Sequence, residues 1–293
     1  MGDLLFRPIA NNMDRPAATG KMGAAMYAKS AGKLPADTLK TVVAEPLAHQ
    51  WRTLLASIAD LAIRADVMRA QLLRRDPALF FDGLRDLLER FAAGAREDTH
   101  VIAALTAALA HPESEHAREQ VLAHAHRSGN PTVRDLLGLN LDVVADTDDS
   151  SPVLLPPKSE STRPLSLGER KSLARTNNRM LLARALRDPH PHVVQILLLN
   201  PGLTEENVIR IAARRPTQSE TQCTITRDPR WAYRPRVRAA LAQNPATPPF
   251  LAALHTCLLL RPVLEEIVGT PSLPRATRRA AQRTLMVEPT AQP

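Results

Sequence analysis

Val193-Val194-Gln195-Ile196-Leu197-Leu198-Leu199-Asn200-Pro201-Gly202-Leu203-Thr204 and Arg236-Val237-Arg238-Ala239-Ala240-Leu241-Ala242-Gln243-Asn244-Pro245-Ala246-Thr247 follow one plan. Each is an apolar stretch of helical character that stops at Asn-Pro and restarts at a threonine. Proline lacks a backbone donor and pushes its predecessor out of the α region, so Asn200 and Asn244 are expected to end helices. Thr204 and Thr247 are expected to cap the helices that follow. Helix, sharp stop and capped helix make one unit of an α-solenoid, an architecture that presents a surface to something large.

The pattern continues on both sides without becoming regular. Arg215-Pro216-Thr217 gives another stop, and both Thr217-x-x-Glu220 and Ser166-x-x-Glu169 fit the capping box. The Asp-Pro pairs at 188 and 228 recur at a shorter spacing than Pro201 and Pro245, which places a short insertion near Trp231-Ala232-Tyr233-Arg234. Thr270-Pro271-Ser272-Leu273-Pro274 is a last stop before a C-terminal helix.

The run Arg236 to Leu254, with Asn244, Pro245, Thr247 and Pro248 at its centre, resembles a unit of the leucine-rich repeat variant proteins, bacterial relatives of the HEAT-type α-solenoids. Val193 to Ala213 matches in part, with Glu205 in place of the second proline. The resemblance covers residues 179–285 at most and implies helical repeats there. Some members of that family carry a cysteine-rich iron–sulfur module; with Cys223 and Cys257 alone, this chain does not inherit that function.

Composition agrees with an all-α chain: 44% apolar residues, 3% aromatic and 11 glycines in 293 residues suit helical cores better than a β-sandwich or a glycine-rich nucleotide fold. Two cysteines give no disulfide framework, no signal peptide is apparent, and no apolar run is long enough to span a membrane, so a cytoplasmic location is expected. Residues 1–158 hold 18 Lys and Arg against 20 Asp and Glu, whereas residues 159–293 hold 20 against 10. The basic excess therefore belongs to the repeats.

Four segments are expected: a loosely held N-terminal stretch, 1–33; a helical domain, 34–141; an acidic, Ser- and Pro-rich linker, 142–164; and a basic helical-repeat domain, 165–288. In the helical domain, Leu47 through Leu72 recur at steps of three and four and predict one long amphipathic helix. Further helices are predicted over Pro77–Ala92, Thr99–Ala110 and Glu113–Arg127, with a short one from Thr132.

The sequence carries no recognisable catalytic or cofactor motif. His111, His116, His124 and His126 cluster with Glu113, Glu115 and Glu119, but their spacing does not give the paired histidines of a zinc helix, so they read as a polar face. Asp146-Thr147-Asp148-Asp149-Ser150 lacks the glycine and distal glutamate of a calcium loop, and Thr19-Gly20-Lys21 lacks the rest of a phosphate loop. No metal, cofactor or catalytic residue is expected.

Arginine carries the functional signal. Arg275, Arg278, Arg279 and Arg283 fall on one side of the last helix, Arg214 and Arg215 lack an acidic partner at helical spacing, and Arg230, Arg234, Arg236 and Arg238 interleave with Trp231 and Tyr233. These residues are the expected partner-binding set. The leading expectation is a non-enzymatic scaffold for an acidic protein or peptide; nucleic acid held through phosphate contacts is the alternative, and a HEAT-like DNA glycosylase a remote third. The acidic linker is also expected to compete for the same basic surface.

Overall fold

The structure, a computed structural model, describes residues 45–139 and 164–286. The N-terminal stretch, residues 140–163 and the calcium-loop-like and phosphate-loop-like sequences lie outside them. Among the described residues the fold is all-α, with fifteen α-helices and no strand.

The first six helices are α1 (Leu47–Ala56), α2 (Leu61–Arg74), α3 (Pro77–Ala92), α4 (Thr99–Leu109), α5 (Glu115–Arg127) and α6 (Pro131–Leu136). The long helix expected from Leu47 to Leu72 is broken in two. Asp60 turns extended and accepts hydrogen bonds from the amides of Ala62 and Ile63, which starts a new helix although the apolar period runs straight through. Asp76 and Pro77 start α3 in the same way, and its stripe of Phe80, Leu84, Leu87, Leu88 and Phe91 is buried. Helix α4 is buried all round from Val101 to Leu109, which places it at the centre of the molecule.

Nine short helices follow: α7 (Leu167–Ala174), α8 (Arg179–Ala185), α9 (Pro191–Leu198), α10 (Glu205–Ala212), α11 (Ser219–Arg227), α12 (Pro235–Ala242), α13 (Pro249–Thr256), α14 (Arg261–Gly269) and α15 (Arg275–Leu285). Helices this short do not stand alone in water, so packing holds them. Some pack on the helix two along, α7 on α9, α9 on α11, α10 on α12 and α13 on α15, and others on their neighbour in sequence, α7 on α8, α12 on α13 and α14 on α15.

The two Asn-Pro joints are the fastening. The Asn200 side chain donates to the carbonyls of Ala174, 2.8 Å, and Thr176, 2.9 Å, and accepts from the Gly202 amide. Asn244 repeats this on Ala212, 2.6 Å, and Arg214, 2.9 Å, accepting from Ala246. Each asparagine thus satisfies carbonyls left over at the end of the helix two earlier in the chain. A buried side chain with donors and an acceptor is required there, which no apolar residue supplies.

Caps follow the sequence in part. Ser166 and Glu169 form the expected capping box, and Thr204 accepts from the Asn207 amide. Thr247 instead donates to the Leu241 carbonyl, 2.6 Å, leaving Pro248 at the cap of α13. Thr217 is buried one residue before the cap of α11, and Glu220 pairs with Arg227, 2.9 Å, so the second capping box does not form.

The helices before and after residues 140–163 share a core. Leu251, Leu254 and Cys257 of the α13 region are buried with Trp51, Phe80, Leu84, Ile102 and Leu105. Each fully buried leucine is worth about 1.5–3 kcal/mol, so this contact binds the two segments firmly. Asp135 receives Arg283 of α15 at 2.9 Å. Gly138, at φ +62, lies so close to the Pro249 carbonyl that a Cβ there would sit 2.6 Å from its oxygen, and only glycine meets both demands.

Candidate interaction surface

The arginines expected to bind a partner divide by location. Arg214 is half-buried, and its guanidinium donates to the Asp188 carbonyl, 2.8 Å, and to the Leu186 carbonyl beyond the end of α8. Burial draws its pKa down, opposed by Asp188. It acts as a cap on another helix. Arg238 donates to the Ala232 carbonyl, 2.8 Å, and lies over the Tyr233 ring. On α15, Arg278 donates to the Leu273 carbonyl, Arg283 pairs with Asp135, Arg279 is half-buried, and Arg275 is exposed.

Trp231 is core. It is 2% exposed, and its indole N–H donates to the Leu198 carbonyl, 3.1 Å. Arg230 and Arg234 cover its ring from 4.5 and 5.4 Å, so the aromatic and its arginines are already stacked on one another. On the other side Tyr233, its hydroxyl buried, borders a cavity between α2, α4 and the segment from Tyr233 to Leu259.

Arg215, Arg230, Arg234, Arg236 and Arg275 remain on the outside, Arg215 with its guanidinium donating to the Gln243 carbonyl at the end of α12. Arg234 reaches Glu205 at 2.9 Å and Arg236 reaches Glu206 at 3.1 Å, both pairs bridging α10 to the start of α12. Exposed pairs of this kind contribute little stability and exchange readily with other charges. Arg215 and Arg236 border a shallow cleft of about 290 Å³ between α10, α12 and α14, floored by Ile209, Ala213, Ala239, Ala240 and Val263, with Glu266 also at its edge.

The histidines and cysteines offer no reactive constellation among the described residues. His111 contacts the Arg69 guanidinium at 2.7 Å; burial and then Arg69 lower its pKa. His124 stacks on Phe81, and His116 contacts Gln120. His190 caps α9, with its pKa lowered by burial and by Arg170. Burial pushes the Cys257 thiol up to about 12 and raises that of Cys223, so neither is primed as a thiolate. No three His, Cys, Asp or Glu side chains among the described residues gather as metal ligands, and no described helix is long and apolar enough to cross a membrane.

No family model, curated protein or solved structure matches the chain.

Sequence reading found the outer arginines and missed the acids that meet them. Glu205 and Glu206 lie a full helix earlier, and no local spacing links them to Arg234 and Arg236. Arg64, Arg96 and His100, which share the cavity of Tyr233, were likewise beyond reach, since nothing in the order of residues brings α2 and α4 to that place.

Proposed function

We propose that this chain is a non-enzymatic interaction scaffold of the leucine-rich repeat variant and HEAT-like type, whose repeats form a short irregular solenoid and receive an acidic protein segment. The observation that carries the reading is the cleft between α10, α12 and α14, with an apolar floor and Arg215 and Arg236 at its border. An amphipathic acidic segment sets its apolar side chains on Ile209, Ala239 and Val263 and replaces Glu206 with its own carboxylate at Arg236. Long-range attraction by the basic half of the chain speeds the encounter.

An acidic peptide fits this edge better than nucleic acid. The apolar floor of Ile209, Ala213, Ala239 and Val263 suits the apolar side chains of a peptide and not a phosphate backbone, and Trp231 is not free to stack on bases. Fluorescence anisotropy decides between them, with a labelled peptide alternating Glu and Leu over two helical turns and a labelled DNA duplex as probes. At about 0.15 M salt the peptide is expected to bind and the duplex not to. The double variant Arg215→Glu, Arg236→Glu is expected to abolish peptide binding. Duplex binding that falls steeply with salt, or peptide binding unaffected by the variant, overturns the reading.

A further inference from the structure

A second site lies away from that edge. Between α2, α4 and the segment from Tyr233 to Leu259 is a cavity of about 440 Å³, lined by Arg64, Arg96, His100, Tyr233 and Arg238 together with Leu61, Thr99, Ala103, Cys257, Leu258 and Leu259. No Asp or Glu is among these lining residues, and none of the three arginines has an ion pair among the described residues. A neighbouring cleft between α2, α4, α9 and α11 makes the contrast plain. There Arg69 meets Asp66 at 3.0 Å and Arg227 meets Glu220 at 2.9 Å, so its cations are already neutralised.

The polar groups of the basic cavity are held in place but not used up. Arg64 uses its Nε on the Ile58 carbonyl, 2.6 Å, and Arg238 uses its Nε on Ala232, 2.8 Å, which leaves the terminal nitrogens of both without a hydrogen-bond partner among the described residues. Arg96 rests on the Phe91 ring at 4.7 Å. His100 is the exception, with both ring nitrogens occupied, by the Glu97 carbonyl at 2.7 Å and the Arg52 carbonyl at 3.4 Å. The Tyr233 hydroxyl is buried and has no hydrogen-bond partner among the described residues. Burial raises its pKa, with Arg238 and Arg64 pulling the other way, so the hydroxyl stays protonated beside two cations. A buried polar group without a partner costs about 1–3 kcal/mol.

We propose that this cavity binds a small phosphomonoester with an apolar body. Three guanidinium groups suit a dianion with three acceptor oxygens, whereas a single carboxylate leaves two of the charges unanswered. Leu61, Ala103, Leu258 and Leu259 supply the apolar wall for the rest of the ligand, and the volume is that of an ordinary small-molecule site. Because the cavity joins α2 and α4 to the repeats, its occupant also ties those segments together and stabilises the folded chain by mass action.

Isothermal titration of the full chain with phenyl phosphate tests this, with inorganic phosphate and benzoate as comparison probes. Phenyl phosphate is expected to bind most tightly, and to raise the melting temperature in proportion to its concentration. Arg64→Gln removes terminal guanidinium nitrogens that have no partner among the described residues and is expected to weaken binding about tenfold, the size of one charge-assisted hydrogen bond. Arg96→Gln, at an exposed residue, is expected to weaken it by a similar or larger factor, while Arg275→Gln, on the last helix, leaves it unchanged. Benzoate binding as tightly as phenyl phosphate overturns the choice of a phosphoryl group. Absence of binding by the unmodified chain, or equal losses from Arg96→Gln and Arg275→Gln, overturns the site. None of these outcomes touches the cleft between α10, α12 and α14, so the two proposals fail separately.

Discussion

Arg214 and Arg236 belong to the same basic half of the chain and do opposite work. Around Arg214 the guanidinium is turned inward, closing the carbonyls of Leu186 and Asp188, while Asn244 holds the Arg214 carbonyl itself from the next unit. Around Arg236 the side chain is 67% exposed and meets only Glu206, a partner that is itself exposed. The positive charge of a sequence therefore does not measure the positive charge available to a ligand. A half-buried arginine that closes a helix end, as Arg214 does, behaves as part of the core, and an exposed one at the rim behaves as surface.

The inner region is broken most completely through Trp231. Replacing it with alanine removes a buried indole and the bond to the Leu198 carbonyl, and is expected to cost about 3–5 kcal/mol in urea unfolding. Asn244→Ala orphans the Ala212 and Arg214 carbonyls and is expected to cost about 2–3 kcal/mol, with Asn200→Ala close to it if the two joints are equivalent. Arg214→Ala is expected to cost about 1.5–3 kcal/mol, whereas Arg236→Ala stays within about 0.5 kcal/mol. Similar losses from these two would erase the distinction between joint and rim.

His255 sharpens the inner side of the comparison through pH. It is buried, contacts the Thr226 hydroxyl at 3.2 Å, and has its pKa pulled down to about 3 by burial and by Arg238. The folded value lies below that of the unfolded chain, about 6.5, so protonation favours unfolding. Its contribution is complete above about pH 6.5 and is lost as the pH falls toward 3. In that window His255→Gln is expected to make the decline of unfolding free energy shallower by up to about 1.4 kcal/mol per pH unit. Parallel pH profiles for the two proteins would show that His255 is not held neutral.

Local chemistry made much of the fold legible. Asp76-Pro77, Ser166 with Glu169, and Asn-Pro at 200 and 244 each act within a few residues, and the helix boundaries they imply agree with the structure to within about two residues. The break at Ser57 to Asp60 was hidden because the apolar period continues across it. Thr217 and Thr247 read as caps from spacing alone, yet burial and the Leu241 carbonyl claim them. The arginines were legible as a group but not by role, since carbonyls from remote helices decide which of them turn inward.

The central claim is that the arginines bordering the cleft between α10, α12 and α14, and not the exposed Arg275 of α15, receive an acidic partner, and it is tested by affinity capture from native lysate with and without nuclease. The baits are the full chain, a rim variant carrying Arg215→Glu and Arg236→Glu, and an Arg275→Glu variant. The account predicts a protein retained by the unmodified chain and by Arg275→Glu, lost with the rim variant, and indifferent to nuclease. Identical capture by all three baits, or capture that disappears with nuclease, would contradict it.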